Sequence, residues 1–269
     1  PTRTAALHAE LAAGDLIELR GQRLDFLQVY DHRRERAGYV RASQVRAVAQ
    51  SQTEAPQLLA VVRFVRDTPG AEALGVAYVA AYLKSAPAAS IDAEPFDALG
   101  VMAERLAQRA SMPAAPKSAT AALQTVAQYG VKFKSFESRG GALTLCYDGE
   151  AFRRVLAQAA DAEQKARAAL ALTRTDCIDP ALPVRERMAL NVARAERLDA
   201  LDAAAFARLP EPMKQRLRVR RAAVWAGVAF DHSRSRQAPQ AAAQRAIGEL
   251  AAVNKHELAE DDQAEYTQA

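Results

Sequence analysis

Residues 14–46 read "GDLIELRGQRLDFLQVYDHRRERAGYVRASQVR", and they differ from everything that follows. Downstream of Thr53 the chain is rich in Ala and reads as helix, whereas this segment alternates and turns. "GDLIELRG" places Leu16 and Leu19 around Ile17, between a Gly14-Asp15 turn and Gly21, as a short strand would be. In "FLQVY", Phe26 and Tyr30 fall on one face and Leu27 and Val29 on the other. "DHRRERAG" is a polar hairpin tip, and "GYVRASQV" is a further strand running into a tight turn at Ala42-Ser43. Three short strands in about thirty residues are too few for a sandwich but fit a small five-stranded barrel.

The rest of the chain sets the fold class. "QSQTEAP", Gln50 to Pro56, is polar and reads as a linker. Helices are predicted at Gln57–Asp67, Ala71–Ser85, Glu94–Ser111 and Ser118–Tyr129, each closed by a Pro- or Gly-bearing breaker. "VKFKSFESRGGALTLCYDG" then alternates with period two on both sides of Arg139-Gly140-Gly141, the pattern of a hairpin. Helices follow at Ala162–Leu172, Pro183–Ala200, Pro212–Asp231 and Pro239–Val253, three of them opening near a proline. A tetratricopeptide-like reading of "VWAGVAFDHSRSRQAPQAAAQRAIGEL" fits at Trp225 and Ala241 and fails at the other signature positions. The expectation is an α+β, mainly α chain. It comprises a small N-terminal β-barrel over 1–48, a linker over 49–56, and a multi-helix domain over 57–269 with one β-hairpin at about 131–147.

The N-terminal pattern carries a resemblance. A Gly-Asp turn at Gly14 and Asp15, an aromatic-x-x-Val strand at Phe26 to Val29, and Gly38-Tyr39-Val40 leading to Val45 resemble the bacterial SH3-like domain. The likeness covers roughly residues 1–48. The family's first strand is missing, and Phe26 stands where the family usually has Trp. The resemblance implies an SH3-like barrel acting as a non-catalytic adaptor in cell-envelope proteins. Such a domain binds peptidoglycan stems or other peptides through an aromatic-lined groove. Here Phe26, Tyr30 and Tyr39 would supply flat apolar surface, and Asp31, Arg33, Arg34 and Arg36 the charge around it. The alternative is that Phe26 and one tyrosine fill the barrel interior while the charges form a solvated tip.

The two cysteines, Cys146 near the end of a predicted strand and Cys177 just after a predicted helix, have two readings. They are separate buried thiols, or they are bridged; the envelope location that the resemblance implies favours the bridge. Closing a loop of about 30 residues, a bridge would stabilise the fold by about 3–4 kcal/mol on the chain-entropy model.

Composition narrows the function classes. Over 269 residues, half hydrophobic and a quarter charged, the net charge is +4 with the two signs interspersed, which gives no nucleic-acid signature. The run "KQRLRVRR", Lys214 to Arg221, spreads its charges round a helix and reads as a solvated or salt-bridged face. No segment reaches the roughly 18–20 apolar residues of a membrane span, and the apolar "ALGVAYVAAYL" suits a central helix. The opening "PTRTAALHAEL" carries no signal-peptide pattern: a signal was removed beforehand, or none existed. The resemblance implies a periplasmic or secreted location, with the signal peptide not in the chain.

No catalytic, cofactor or metal site is expected. His8, His32, His232 and His256 do not share helix faces, and "HELAE" has Glu260 where a zinc-protease helix needs its second His. Cys146 with His232 lacks a recognisable peptidase context, and no serine elbow or phosphate loop is present. Asp148-Gly149-Glu150 opens a predicted helix and reads as a cap. The expected function is a non-enzymatic envelope binding or scaffold protein whose partner is peptidoglycan or an envelope protein. The alternatives are a cell-wall hydrolase or transferase targeted by the SH3-like module, and a cytoplasmic helical binding protein.

Overall fold

The structure, a computed structural model, describes residues 7, 9–48, 51–137, 141, 143–259, 262, 263, 266 and 267. His8, the linker residues 49 and 50, Arg139 and Gly140 of the predicted turn, and Glu260 of "HELAE" lie outside the described residues. The chain divides into two units. The first holds the described residues up to Ile91 together with Val101–Lys132, and the second holds Asp92–Gly100 together with the described residues from Phe133 onward.

In the first unit, β1 (Glu18–Arg23), β2 (Phe26–Asp31) and β3 (Arg36–Arg41) form an antiparallel sheet in that order. Pairing of β2 with β3 runs unbroken from Phe26 opposite Arg41 to Asp31 opposite Arg36. Pairing of β1 with β2 is interrupted at Arg20, between Leu19 and Gly21. The expected barrel is not closed among the described residues: β1 and β3 are both edges of a three-stranded sheet. After Arg41 the chain enters one turn of 3-10 helix at Ala42–Gln44, and "VRAV" beyond it forms no strand. β3 ends at Arg41, and among the described residues no further strand pairs with its edge or with that of β1.

The helices of this unit are α1 (Ala55–Arg66), α2 (Glu72–Ser85), the part of α3 (Glu94–Ala110) from Val101, and α4 (Lys117–Ala127). The apolar stretch identified as a central helix is α2, with Ala73, Val76, Val79 and Tyr82 buried. It packs against α1 and α4. Gly75 lets α3 come close, since a Cβ there would lie 2.1 Å from Met102 Sδ. Glu72, fully buried in the first turn of α2, accepts from Arg105 Nε at 2.7 Å and from Arg109. Burial opposes its ionised form, but those guanidiniums and the Gly70 N–H outweigh burial and hold its carboxyl below the usual range.

In the second unit, β4 (Phe133–Glu137) and β5 (Leu143–Tyr147) form the predicted hairpin, with Phe133 opposite Tyr147 and Glu137 opposite Leu143. The helices are α5 (Glu150–Leu156), α6 (Ala162–Leu172), α7 (Val184–Asp199), α8 (Ala203–Ala207), α9 (Glu211–Arg234) and α10 (Gln240–Ala251). The short α8 has no counterpart in the sequence reading; Asp202 starts it by accepting from the Ala205 N–H at 2.6 Å. Leu170, Leu198, Leu209, Leu217, Val224 and Val228 form the core. Cys146 and Cys177 are bridged, with their Cα atoms 5.8 Å apart, so β5 is joined to the segment after α6.

Three arginines of the basic run turn inward. Arg218 donates to Ala252 O at 2.8 Å, Arg220 to Leu170 O at 2.7 Å and Arg221 to Leu198 O at 2.9 Å. Those carbonyls belong to the C-terminal ends of α10, α6 and α7, where the last turn leaves acceptors without helical partners. A cation there also meets the negative end of the helix dipole. Lys214, Arg216 and Arg221 also pair with Glu211, Asp262 and Glu249, so the run is salt-bridged as well as capping three other helices.

Two outcomes are expected in urea unfolding. Replacing both cysteines by Ser should destabilise the protein by about 2–4 kcal/mol, and an unchanged midpoint would show that the bridge constrains nothing. Arg220→Met should cost about 1–3 kcal/mol through loss of a buried charge-assisted hydrogen bond, whereas a solvated arginine would cost within about 0.5 kcal/mol.

Candidate functional site

Cross-strand partners share a sheet face, which fixes where each aromatic ring lies. Gln28 stands opposite Tyr39, and Phe26 and Tyr30 flank Gln28 at two-residue spacing on β2. Phe26, Tyr30 and Tyr39 therefore occupy one face, and Val29 and Asp31, both buried, occupy the other. Tyr39 is 49% exposed, while Phe26 and Tyr30 are half-buried. The rings thus lie opposite the buried side of the sheet.

Charged groups surround this aromatic face. The Arg20 guanidinium carbon stands 3.8 Å over the Tyr30 ring, and His32 meets the same ring edge-on at 4.8 Å. Glu18 links the two, accepting from Arg20 at 3.1 Å and lying 2.7 Å from His32 Nε2. These hydrogen bonds, Arg20 first, hold the Glu18 carboxyl below its usual range. Arg20 and Glu18 were not singled out in the sequence, and His32 was weighed there only as a metal ligand. The interruption of pairing at Arg20 accompanies its reach over Tyr30, and a strand pattern gives no sign of it.

The remaining predicted site residues take other places. Asp31 is buried and accepts from the backbone N–H of Arg33 at 2.9 Å and of Arg34 at 3.3 Å, and it also pairs with the Arg34 guanidinium. Burial raises its pKa, and these contacts overcome burial to leave it lowered. Arg33 and Arg34 both reach Asp15 Oδ2, at 3.7 and 3.4 Å. Arg36 is exposed on β3, opposite Asp31. The structure therefore brings Phe26, Tyr30 and Tyr39 together and places Asp31 and Arg33 in the turn that supports them.

Asp15 fixes this arrangement to the helices of its unit. Its carboxylate accepts from Ala12 N at 3.1 Å, Thr125 Oγ1 at 2.9 Å and Gln128 Nε2 at 3.3 Å. Tyr129 donates its hydroxyl to Gly14 O at 2.7 Å. Gly14 has φ +97, and a Cβ on it would fall 2.6 Å from Ala73 O, so only glycine fits. Burial works against the charged form of Asp15, but the Ala12 N–H, the Thr125 hydroxyl and Arg33 outweigh it and hold the pKa below the usual range.

The catalytic candidates weighed in the sequence separate in space or are already engaged. Cys146 and Cys177 are bonded to each other, so neither offers a thiol to His232. Asp148 accepts from Glu150 N at 2.9 Å, and Glu150 pairs with Arg154 and Arg153, an arrangement that caps α5. Burial pushes the Tyr147 hydroxyl up to about 12, against the lowering effect of the Ala151 N–H from which it accepts at 2.8 Å, and so keeps it protonated. Among the described residues, no group of three or more His, Cys, Asp or Glu side chains could hold a metal, and no helix is long and apolar enough to cross a membrane. Comparison with known proteins finds no matching family model, no matching curated protein and no matching solved structure.

The lowered pKa of Asp15 gives a signed pH dependence. Its contribution is fully present above the unfolded carboxyl value of about 3.9 and is lost as pH falls through the lower folded value. At neutral pH, Asp15→Asn should destabilise the first unit by about 1.5–3 kcal/mol, and the difference from wild type should shrink as pH falls through the folded value. Hydrogen exchange of the β2 amides reads this directly; a difference independent of pH would remove the carboxylate from the account.

Proposed function

We propose that this chain is a non-enzymatic binding protein of the cell envelope, periplasmic or secreted. In this reading its SH3-like N-terminal module uses the aromatic face of the β1–β3 sheet to bind peptidoglycan stem peptides or an extended segment of an envelope protein. The observation that carries the reading is the placement of Phe26, Tyr30 and Tyr39 on one face, with Tyr39 half exposed. Flat rings give contact area at low entropic cost, and Arg20, His32 and Glu18 beside Tyr30 suit a ligand that carries charges of both signs.

The Cys146–Cys177 bridge supports an oxidising compartment, since structural disulfides are rare in reducing ones. The helical second unit acts as a scaffold, its basic run engaged in helix caps.

Co-sedimentation with purified cell-wall sacculi tests the proposal. The wild-type chain should pellet with sacculi, and Tyr39→Ala and Tyr30→Ala should each weaken binding about five- to thirtyfold, as loss of a central aromatic contact does. Tyr39 is exposed, so its variant should fold normally by circular dichroism. A wild-type chain that stays in the supernatant excludes peptidoglycan, and Tyr39→Ala binding at full strength excludes the sheet face.

A further inference from the structure

Glycine inside a helix costs roughly 0.5–1 kcal/mol relative to alanine, so each one calls for a reason. Gly75 in α2 has one in the nearness of Met102, and Gly100 in α3 has another, since a Cβ there would lie 2.6 Å from the Phe152 ring. Gly227, in the middle of α9, has neither. Its φ is not left-handed, and an added Cβ would rest 3.6 Å from Asn191 Nδ2, an ordinary contact. Gly248 in α10 also lacks a packing reason, but it faces open space. Gly227 instead lines a cleft of about 460 Å³ between α7 and α9, where the missing side chain leaves room.

The walls of this cleft have a definite chemistry. Arg187 and Asn191 lie one turn apart on α7, and Gly227, Phe230 and Arg234 follow one another at helical spacing on α9. Phe230 is 59% exposed, an unusual position for a large ring in a core-forming helix, and Ile178 extends the apolar surface beside it. The guanidinium of Arg234 stands 5.7 Å from the Phe230 ring centre. Among the described residues, neither Arg187 nor Arg234 pairs with a carboxylate. Asp231, also lining the cleft, is buried and accepts from Asn191 Nδ2 at 2.8 Å, and Arg194 in turn donates to Asn191 Oδ1 at 3.0 Å. The cleft thus combines an apolar wall with two cations and one already engaged anion.

We propose that the α7–α9 cleft binds a small amphipathic carboxylate, with its apolar arm against Phe230 and Ile178 and its carboxylate between Arg187 and Arg234. Two guanidiniums can grip a carboxylate through charge-assisted hydrogen bonds, and the open floor at Gly227 admits the arm. The site lies wholly in the second unit and does not depend on the sheet face of the first.

Calorimetric titration of the full chain with 3-phenylpropanoate, and with the matched uncharged 3-phenylpropanamide, tests it. The acid should bind saturably and at least about tenfold tighter than the amide. Arg187→Gln and Arg234→Gln should each remove most of that preference, leaving the weak binding of the amide unchanged. Gly227→Ala, which the packing accommodates, should weaken binding of both compounds while raising the unfolding midpoint, and Gly227→Leu should abolish binding. Equal affinity for acid and amide would overturn the role of the guanidiniums. Undiminished binding to Gly227→Leu would place the ligand elsewhere, and no saturable binding up to about 10 mM would overturn the site itself.

Discussion

The carboxylate of Asp15 holds the N-terminal sheet to its helices. It collects the Ala12 N–H, the Thr125 hydroxyl, the Gln128 amide and the guanidiniums of Arg33 and Arg34, so one short turn is bonded to α4 and to the β2–β3 tip at once. Gly14 makes this possible, because its left-handed backbone lies against Ala73 O, where a side chain would not fit. A three-stranded sheet with two edges has little core of its own and would be marginal in isolation. Bonded in this way it keeps Val29 and Asp31 inward and leaves the rings of Phe26, Tyr30 and Tyr39 on the other side.

The second unit solves a different problem by related means. Its helices are rich in alanine, which packs closely but offers little apolar area per residue. The core of Leu170, Leu198, Leu217, Val224 and Val228 is supplemented by buried polar side chains bonded to one another and to backbone carbonyls. Arg194 reaches Thr173 O and Asn191, Arg220 reaches Leu170 O, and Asp97 takes both Nε and an Nη of Arg167 at 3.0 and 3.1 Å. Arginine suits these positions because its planar fork can serve several acceptors in fixed geometry. Removing one such partner would leave the other buried without compensation.

Much of this was legible in the sequence, and the limits have physical causes. Prolines and glycines marked the ends of α2, α3, α7 and α10 to within a few residues, since they act through local backbone geometry. The three strands and the hairpin were legible from period-two alternation. Barrel closure was not, because alternation marks strands and turns but does not show what would pair with the free edges of β1 and β3. The Asp15 contacts join residues far apart in the chain, and no local pattern reports a partner as distant as Thr125. The run from Lys214 to Arg221 shows its charges but not where they point, because the acceptors are carbonyls at the ends of three other helices. Gly227 was visible as a residue, and only its surroundings reveal that packing does not require it.

The three arginines of α9 also bear on how the second unit comes apart. With α9 undocked, the last turns of α6, α7 and α10 would each lose a guanidinium donor. The ends of three helices are thereby tied to the docking of a fourth.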